Sequence, residues 1–317
     1  MNPLSDHATD LGRRTFLRHI ALVGAGVALA ACDGATSTPP TAVSSGAATP
    51  DAANAAITAV APDAEPSLAV VAATFEQLVD QPNPFVFGLF TLEQEPIEDV
   101  SAQVYALPPG GGEPVGPWSA VPADTDVPPG GLYTVDADFA GTGVHEVVVV
   151  SDDGRAGSVA IDVRDTGSSQ LPAPGQQAQA VPTPTTADEL GYTTLCTRTP
   201  EPCGMHEISL DNALVREQPV VLLFATPAFC QTAVCGPTVD VLEELRSDFG
   251  DVQFVHCEIF SDEGATVGDP IQAWNLPTEP WLFVINPDGR IAGRADGPLL
   301  VLADEVRSLI TSGTTAG

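Results

Sequence analysis

Lysine is missing from the 317-residue chain. All eleven basic residues are arginines, against 42 aspartates and glutamates, so the formal net charge is −31. A surface of this kind repels the phosphates of nucleic acids and of anionic lipid headgroups. The composition therefore argues against both as partners and favours solubility.

An apolar run long enough for an ordinary membrane span is also missing near the N-terminus, where residues 20–31 form only a short apolar stretch. Arg13 and Arg14 precede it, and such flanks are typical of an export signal of the Tat type. Residues 29–32, Leu-Ala-Ala-Cys, resemble a bacterial lipobox, in which cleavage leaves Cys32 as a lipid-modified N-terminus; the alternative is a simple cleaved signal with a chance cysteine. We expect a signal peptide over 1–31, lipid attachment at Cys32 and a protein held on the extracytoplasmic face of the cell membrane.

Two stretches rich in Ala, Thr, Ser, Pro and Gln divide the rest of the chain. Residues 32–66 and 166–187 have no periodicity, which is typical of a flexible tether and a linker. They leave blocks over 67–165 and 188–317, each large enough for its own core.

The first block has short runs of β-forming residues between Pro/Gly turns, and Asp152-Asp153-Gly154 has the composition of a hairpin turn. The runs cover residues 68–72, 85–92, 100–107, 131–139, 144–150 and 158–163. This spacing predicts an all-β antiparallel sandwich that resembles the immunoglobulin-like domains of exported bacterial proteins. The block has no cysteine and one histidine, His145, which we expect on a strand surface, so it is interpreted as a spacer or interaction module.

The second block alternates strand and helix signals in the order βαβαββα. The strands are expected at 220–224, 252–260, 281–285 and 290–294, and the helices at 237–249, 270–274 and 299–310. Between the first strand and the first helix stand two cysteines, Cys230 and Cys235, followed by Pro237. A helix N-terminus favours the thiolate of Cys235, and a thiolate is the reactive form of cysteine.

The segment from Phe224 to Pro237, with Phe229 just before the first cysteine, resembles the active-site segment of exported, membrane-tethered thioredoxin-like proteins. Glu279-Pro280 before the strand at 281–285 resembles the cis-proline of that family. The resemblance covers about 110 residues and implies a thioredoxin-like α/β fold. It further implies Cys230 and Cys235 as catalytic residues, with Phe229, Glu279 and Pro280 contacting the substrate. In the family the first cysteine is normally the exposed one, which favours Cys230 as nucleophile, whereas the helix terminus favours Cys235.

The chain lacks the Cys-x-x-Cys spacing of most disulfide-exchanging members of that family, because four residues separate Cys230 from Cys235. Such a pair can still close into a disulfide when the Cα atoms lie within about 7 Å. Leu223 occupies the neighbourhood where thioredoxins often bury a carboxylate. The pair is therefore either redox-active or a purely structural disulfide of an exported domain.

The remaining cysteines and histidines are interpreted mainly as structural residues. Cys196 and Cys203 flank a turn-rich spacer and are expected to form a structural disulfide, and Cys257, inside an apolar strand, is expected to be a free, inert thiol. His256 and Glu258 share a strand face and are interpreted as strand-end residues, with proton transfer as the alternative. His206 follows Cys203-Gly-Met205, so a copper or zinc site can be imagined. No metal or cofactor is predicted.

Several function classes remain open from the sequence. The first is thiol:disulfide exchange with protein thiols or disulfides, or with a membrane redox partner. The alternatives are a non-catalytic binding lipoprotein with structural disulfides, a copper-binding assembly protein resembling the Sco group, and a peroxiredoxin-type peroxidase, suggested by Thr232-Ala-Val-Cys235. The peroxidase would need an activating arginine, for which Arg290 and Arg294 are only guesses.

Overall fold

The computed structural model describes residues 50–79, 84–123, 130–230 and 234–315, which all fall within one compact unit. The predicted signal peptide over 1–31 and the predicted lipid attachment site at Cys32 lie outside the described residues. Within the described part, no helix combines the length and the apolar composition needed to cross a bilayer. The architecture is mixed α/β and rich in sheet.

The predicted tether over 32–66 is wrong for its second half. Helix α1 covers Pro50–Val60, and strand β1, Glu65–Pro66, pairs in parallel with residues 155–156. Ala56 and Ile57 are buried against Val148 and Ala156. An alanine-rich run has high helix propensity, so two buried contacts are enough to hold one helix against the sheet.

The first block is a set of antiparallel strands around an apolar core. The strands are β2 (Leu68–Ala72), β3 (Gln77–Leu78), β4 (Phe85–Thr91), β5 (Ala102–Leu107), β6 (Val115–Pro122), β7 (Leu132–Val135), β8 (Gly143–Ser151) and β9 (Arg155–Arg164). Their order is β1-β9-β8-β5-β6-β7-β4-β2, and β3 pairs in parallel with β9. Sequence analysis missed β6 because a Gly-Pro pair near its start interrupts the strand pattern. This strand joins the two halves of the sheet by pairing with both β5 and β7.

Aromatic rings form the centre of this core. Phe87 stacks on Phe85 and on Tyr133, with ring centroids 5.3 and 5.5 Å apart, and the Tyr133 hydroxyl donates to the backbone carbonyls of residues 97 and 100. The predicted hairpin turn at 152–154 connects β8 and β9, and Gly154 has a φ of 88°. The surface position predicted for His145 is wrong: its ring is buried against Phe139, and its nitrogens lie 3.0 and 3.2 Å from two backbone carbonyl oxygens.

From residue 220 onwards the second block follows the predicted element order, and it begins with a short helix, Leu210–Leu214, that was not predicted. Its elements are α2 (Leu210–Leu214), β10 (Val220–Phe224), α3 (Cys235–Leu245), β11 (Gln253–Cys257), α4 (Asp269–Ala273), β12 (Trp281–Ile285), β13 (Ile291–Asp296) and α5 (Ala303–Thr315), with 3₁₀ turns at Arg246–Asp248 and Leu299–Leu302. The sheet order is β11-β10-β12-β13; β10 and β11 are parallel, and the other pairs are antiparallel. β10 and β12 are buried along their whole length, which explains their unbroken apolar sequences.

The segment predicted to be a flexible linker, residues 166–187, is packed on this second block. Leu171 and Ala178 are buried in the core beside β12, and the amide of Ala178 donates to the carbonyl of Gly289 at 2.9 Å. Gln177 forms an isolated β-bridge with Arg290. A few apolar side chains therefore anchor a stretch whose composition alone is typical of a linker.

Buried polar contacts join the two blocks. Glu76, before β3, forms an ion pair with Arg294 of β13, and both side chains are almost fully buried. The carboxylate of Asp296, also on β13, accepts a hydrogen bond from the backbone amide of Phe75. Burial raises the pKa of Asp296 to about 7, and the hydrogen bond from the Phe75 amide and the charge of Arg294 oppose this effect only partly.

Asp296→Asn should remove a pH dependence of stability. The folded protein binds the Asp296 proton more tightly than the unfolded chain does. Protonated Asp296 therefore stabilises the fold fully below about pH 4, and this stabilisation is lost as the pH rises through about 7. Relative to the unaltered protein, the variant should gain up to about 4 kcal/mol in unfolding free energy between these two pH values. Urea unfolding across this range measures the gain. The exposed Asp63→Asn is the control, and an equal gain there would contradict the assignment.

Candidate functional site

The loop that carries Cys230 continues from the end of β10. Residues 225–230 turn back on themselves, and the amides of Phe229 and Cys230 both donate to the carbonyl of Thr226, at 3.3 and 3.0 Å. Helix α3 then begins at Cys235, with Val234 before it accepting a hydrogen bond from the amide of Thr238. Residues 231–233, between the two cysteines, lie outside the described residues.

Cys230 and Cys235 form a disulfide, and their Cα atoms are 6.0 Å apart. Cys235 is fully buried in the first turn of α3, whereas Cys230 is only partly buried at the end of the loop. The sequence left the choice of nucleophile open. In the structure Cys230 is the more exposed residue of the pair, and Cys235 lies at the helix N-terminus, where the dipole favours a thiolate.

The predicted proline lies at the same end of the sheet. The Glu279–Pro280 bond is cis, and Pro280 is buried. Because Phe224 pairs with Trp281 in the register of β10 and β12, Pro280 comes level with the start of the cysteine loop. The carbonyl of Pro280 accepts a hydrogen bond from the amide of Gly297.

The two other predicted substrate-binding residues flank this end of the sheet. Phe229 is partly buried, and its ring packs edge-to-face on Phe260 with centroids 6.1 Å apart. Glu279 is partly buried, and burial raises its pKa. Leu223, in the place of a carboxylate, is fully buried in the core that includes Cys235.

Neither arginine suggested for a peroxidase is free for that role. Arg294 is engaged by Glu76, and its guanidinium lies 5.4 Å from the ring centroid of Trp281. Arg290 donates to the carbonyl of Gly175 and pairs with Asp288. Both are held by groups away from the cysteine loop.

A second cluster, which sequence analysis did not assemble, lies in the same core. Cys196, Cys203, His206 and His256 are all buried, and their ligand atoms lie within 4.8 Å of one another. We call these four residues the Cys/His cluster. The structure brings Cys196 and Cys203 together as expected, but as two free thiols with sulfurs 3.7 Å apart rather than as the predicted disulfide.

The two histidines complete this cluster. His256 Nδ1 lies 3.3 Å from the sulfur of Cys203, 3.8 Å from that of Cys196 and 3.1 Å from His206 Nε2. His256 Nε2 lies 3.1 Å from the carbonyl oxygen of Ala225, which can only accept, so the His256 proton belongs on Nε2. His256 Nδ1 therefore faces the two sulfurs and His206, so this residue near the end of β11 also belongs to the cluster.

The pKa values of two buried thiols, Cys196 and Cys257, are shifted in opposite directions. The hydrogen bond from Cys203 and those from the two histidines hold the pKa of Cys196 well below its ordinary value. Burial lowers the pKa of His206. By contrast, burial raises the pKa of Cys257 to about 12, and this thiol is free, as the sequence predicts for an inert residue.

One polar link joins the Cys/His cluster itself to the cysteine loop, and a second joins the nearby residues Thr197 and Glu258 to that loop. The first is the hydrogen bond from His256 to Ala225. The second runs from Glu258, whose Oε1 accepts from the amide and hydroxyl of Thr197 at 2.6 and 2.9 Å, to Ala228, whose amide donates to the Thr197 hydroxyl at 3.0 Å. Glu258 is buried just past the end of β11, and its hydrogen bonds, which agree with the interpretation as a strand-end residue, support the loop.

Thr197→Val should loosen the cysteine loop. Valine keeps the shape of threonine but removes the donor to Glu258 and the acceptor of the Ala228 amide, so we expect a loss of about 1–2 kcal/mol in unfolding free energy. Hydrogen exchange at Ala228 should also accelerate. The exposed Thr193→Val serves as the control, and unchanged exchange at Ala228 would contradict the link.

A partial signal of the cluster is present in the sequence, because Cys203 and His206 have the Cys-x-x-His spacing common in metal sites. His256, fifty residues later, carries no such signal. In comparisons with known proteins, no family model matches this chain, and no curated protein matches it. Function is therefore inferred from the Cys230–Cys235 disulfide, the adjacent cis-proline and the Cys/His cluster.

Proposed function

We propose that the protein is an exported, lipid-anchored thiol:disulfide oxidoreductase that works through Cys230 and Cys235. One observation carries the proposal: a disulfide joins a partly buried sulfur at the end of a strand to a buried sulfur in the first turn of a helix. A redox-active pair needs one sulfur within reach of a partner and one that leaves readily as a thiolate. The partial exposure of Cys230 and the position of Cys235 at a helix N-terminus support these two conditions.

The fold supports this proposal. We assign a thioredoxin-like fold to the domain over 188–317, because β10 lies between a parallel and an antiparallel neighbour and α3 follows the cysteine loop. The cis-proline before β12 agrees with that assignment. The strands over 67–165 are assigned to an immunoglobulin-like sandwich that acts as a spacer or interaction module.

The proposed exchange consists of two successive thiolate attacks. A substrate thiolate attacks Cys230 Sγ, forming a mixed disulfide as the Cys230–Cys235 bond breaks, and Cys235 leaves as a thiolate. A second substrate thiolate then attacks the substrate sulfur of that mixed disulfide and releases Cys230. The substrate dithiol loses two electrons and two protons, and the cysteine pair gains the electrons. The reverse sequence reduces a substrate disulfide.

Substrate contacts are assigned to the surroundings of Cys230. Phe229 precedes it in the loop, and Glu279 and Pro280 lie at the same end of the sheet. In this proposal they contact the partner's backbone, and the partner is a protein thiol or disulfide or a membrane redox protein. The anchor at Cys32 keeps the reaction on the extracytoplasmic face of the membrane.

The reduction potential of the Cys230/Cys235 pair tests the proposal. The full-length protein is equilibrated across a redox-buffer series, and free thiols are alkylated and counted by mass spectrometry. A potential between about −120 and −270 mV, the range of exchange catalysts, is expected. A value below about −300 mV would indicate a structural disulfide and favour the binding lipoprotein instead.

A further inference from the structure

We propose that the Cys/His cluster is a structural zinc site, with Cys196, Cys203, His206 and His256 as its four ligands. This site is separate from the disulfide at Cys230 and does not depend on the exchange activity. The proposal departs from the sequence-based expectation, in which no metal is bound and the first two residues form a disulfide.

Four of the six distances among the ligand atoms are close to the edges of a tetrahedron around one ion, and all six lie within 4.8 Å. With zinc–sulfur bonds of about 2.3 Å and zinc–nitrogen bonds of about 2.0–2.1 Å, the edges of the tetrahedron are about 3.8 Å for S···S, 3.5 Å for S···N and 3.3 Å for N···N. The cluster has 3.7 Å between its sulfurs, 3.3 and 3.8 Å from the sulfurs to His256 Nδ1, and 3.1 Å between the two histidine nitrogens. A disulfide would bring the sulfurs to about 2.05 Å instead.

The ligand types favour zinc. Two sulfurs and two imidazole nitrogens in tetrahedral geometry are the usual donor set of structural zinc sites. Two thiolates also neutralise the charge of the ion, so the burial of all four residues leaves no uncompensated charge. Four protein ligands leave no open position, which distinguishes a structural site from a catalytic one.

The surroundings orient the ligands before any ion binds. The hydrogen bond between His256 Nε2 and the carbonyl of Ala225 leaves Nδ1 available as a ligand. The backbone amide of Cys203 donates to the sulfur of Cys196 at 3.4 Å, which stabilises a thiolate there. Hydrogen bonds of this kind fix the direction and basicity of metal ligands.

A bound zinc ion would link two parts of the chain that are far apart in sequence. Residues 196–206 form a segment without helix or strand, and His256 belongs to β11 in the central sheet. An ion held by both would fix the segment beside the loop of residues 225–230, which the same histidine contacts. A small domain with few covalent links gains folding free energy directly from such an ion.

Metal analysis of the full-length protein tests the proposal. The protein is purified under reducing conditions, and its zinc content and zinc K-edge absorption fine structure are measured. We expect one zinc per chain, with two sulfur ligands at about 2.3 Å and two nitrogen ligands at about 2.0–2.1 Å. Because this measurement uses the unaltered chain, it decides the question even if variants fail to fold.

Variants then assign the ligands. Cys203→Ser and His256→Gln should lower zinc affinity by at least about 100-fold in chelator competition. We expect a loss of this size because removing even a residue that only hydrogen-bonds a metal ligand weakens metal binding substantially. Cys257→Ala, a buried thiol next to His256 in the same strand, is the matched control and should keep its zinc. The double variant Cys230→Ser/Cys235→Ser should also keep it, which separates this site from the exchange centre.

Three results would overturn the proposal. The first is a metal-free protein in which peptide mapping finds Cys196 disulfide-bonded to Cys203. The second is a protein that, as purified without added metal, carries copper at the cluster and no zinc. The third is zinc whose absorption spectrum shows no sulfur ligands, which would mean binding elsewhere on the acidic surface.

Discussion

Cys230→Ser is expected to lower the rate of the proposed thiol:disulfide exchange by at least about 10³-fold, because it removes the more exposed cysteine, which is the nucleophile in that proposal. Cys235→Ser should also stop turnover, but by a different route. It leaves Cys230 able to form a mixed disulfide while removing the thiolate that resolves it. The two single variants should therefore differ in what accumulates.

Turnover of a reduced or oxidised model peptide measures the rates, and non-reducing mass spectrometry identifies the adducts. Cys235→Ser should accumulate a mixed disulfide through Cys230, and Cys230→Ser should not. Cys257→Ala, which removes a thiol whose pKa burial raises to about 12, should retain full activity. Equal adduct formation by both serine variants would contradict the assignment of Cys230 as nucleophile.

Glu76→Gln is expected to lower the free energy of unfolding by about 3–5 kcal/mol. The substitution leaves the guanidinium of Arg294 without its charged partner, although only 5% of that side chain is exposed. The same carboxylate also accepts from the Ser169 hydroxyl at 2.7 Å and lies 3.4 Å from Arg164. The lost ion pair lies at the contact between the two blocks. The variant should therefore unfold at a lower urea concentration.

Two variants control for the change of net charge. Asp248→Asn breaks an exposed ion pair with Arg307 and should lose less than about 1 kcal/mol. Glu76→Gln combined with Arg294→Met removes both buried charges and should recover much of the loss. A loss at Glu76 no larger than that at Asp248 would show that the pair contributes little.

Local patterns were enough to predict the element order of the second block. The apolar run at β10, the helical spacing of α3 and the Pro-initiated strand β12 each carry their own signal within about ten residues, and the structure agrees with all three. The same local signals placed Cys230 and Cys235 between strand and helix. Both predictions depend on short-range chemistry, which a single sequence contains.

Other predictions failed where distant contacts override composition. Residues 50–60 form a helix because the sheet offers Ala56 and Ile57 a surface to pack on. Residues 166–187 are anchored by a few side chains inserted beside β12. His145 is buried because its ring packs on Phe139 while its nitrogens lie beside two backbone carbonyl oxygens of its own turn. In each case a tertiary contact stabilises a segment whose composition is typical of an exposed one.

By itself, the sequence determined the strongly acidic composition, the strand–loop–helix setting of Cys230 and Cys235 and the position of Cys257 inside an apolar strand, since each depends on residues close together in the chain. Only the tertiary structure decided that Cys230 is the more exposed of the two cysteines. It alone also placed His256 beside Cys196, Cys203 and His206. The physical reason is that both the burial of these residues and the distances among them depend on β11 packing against a segment about fifty residues earlier in the chain. A contact between such distant segments leaves no local pattern in the sequence.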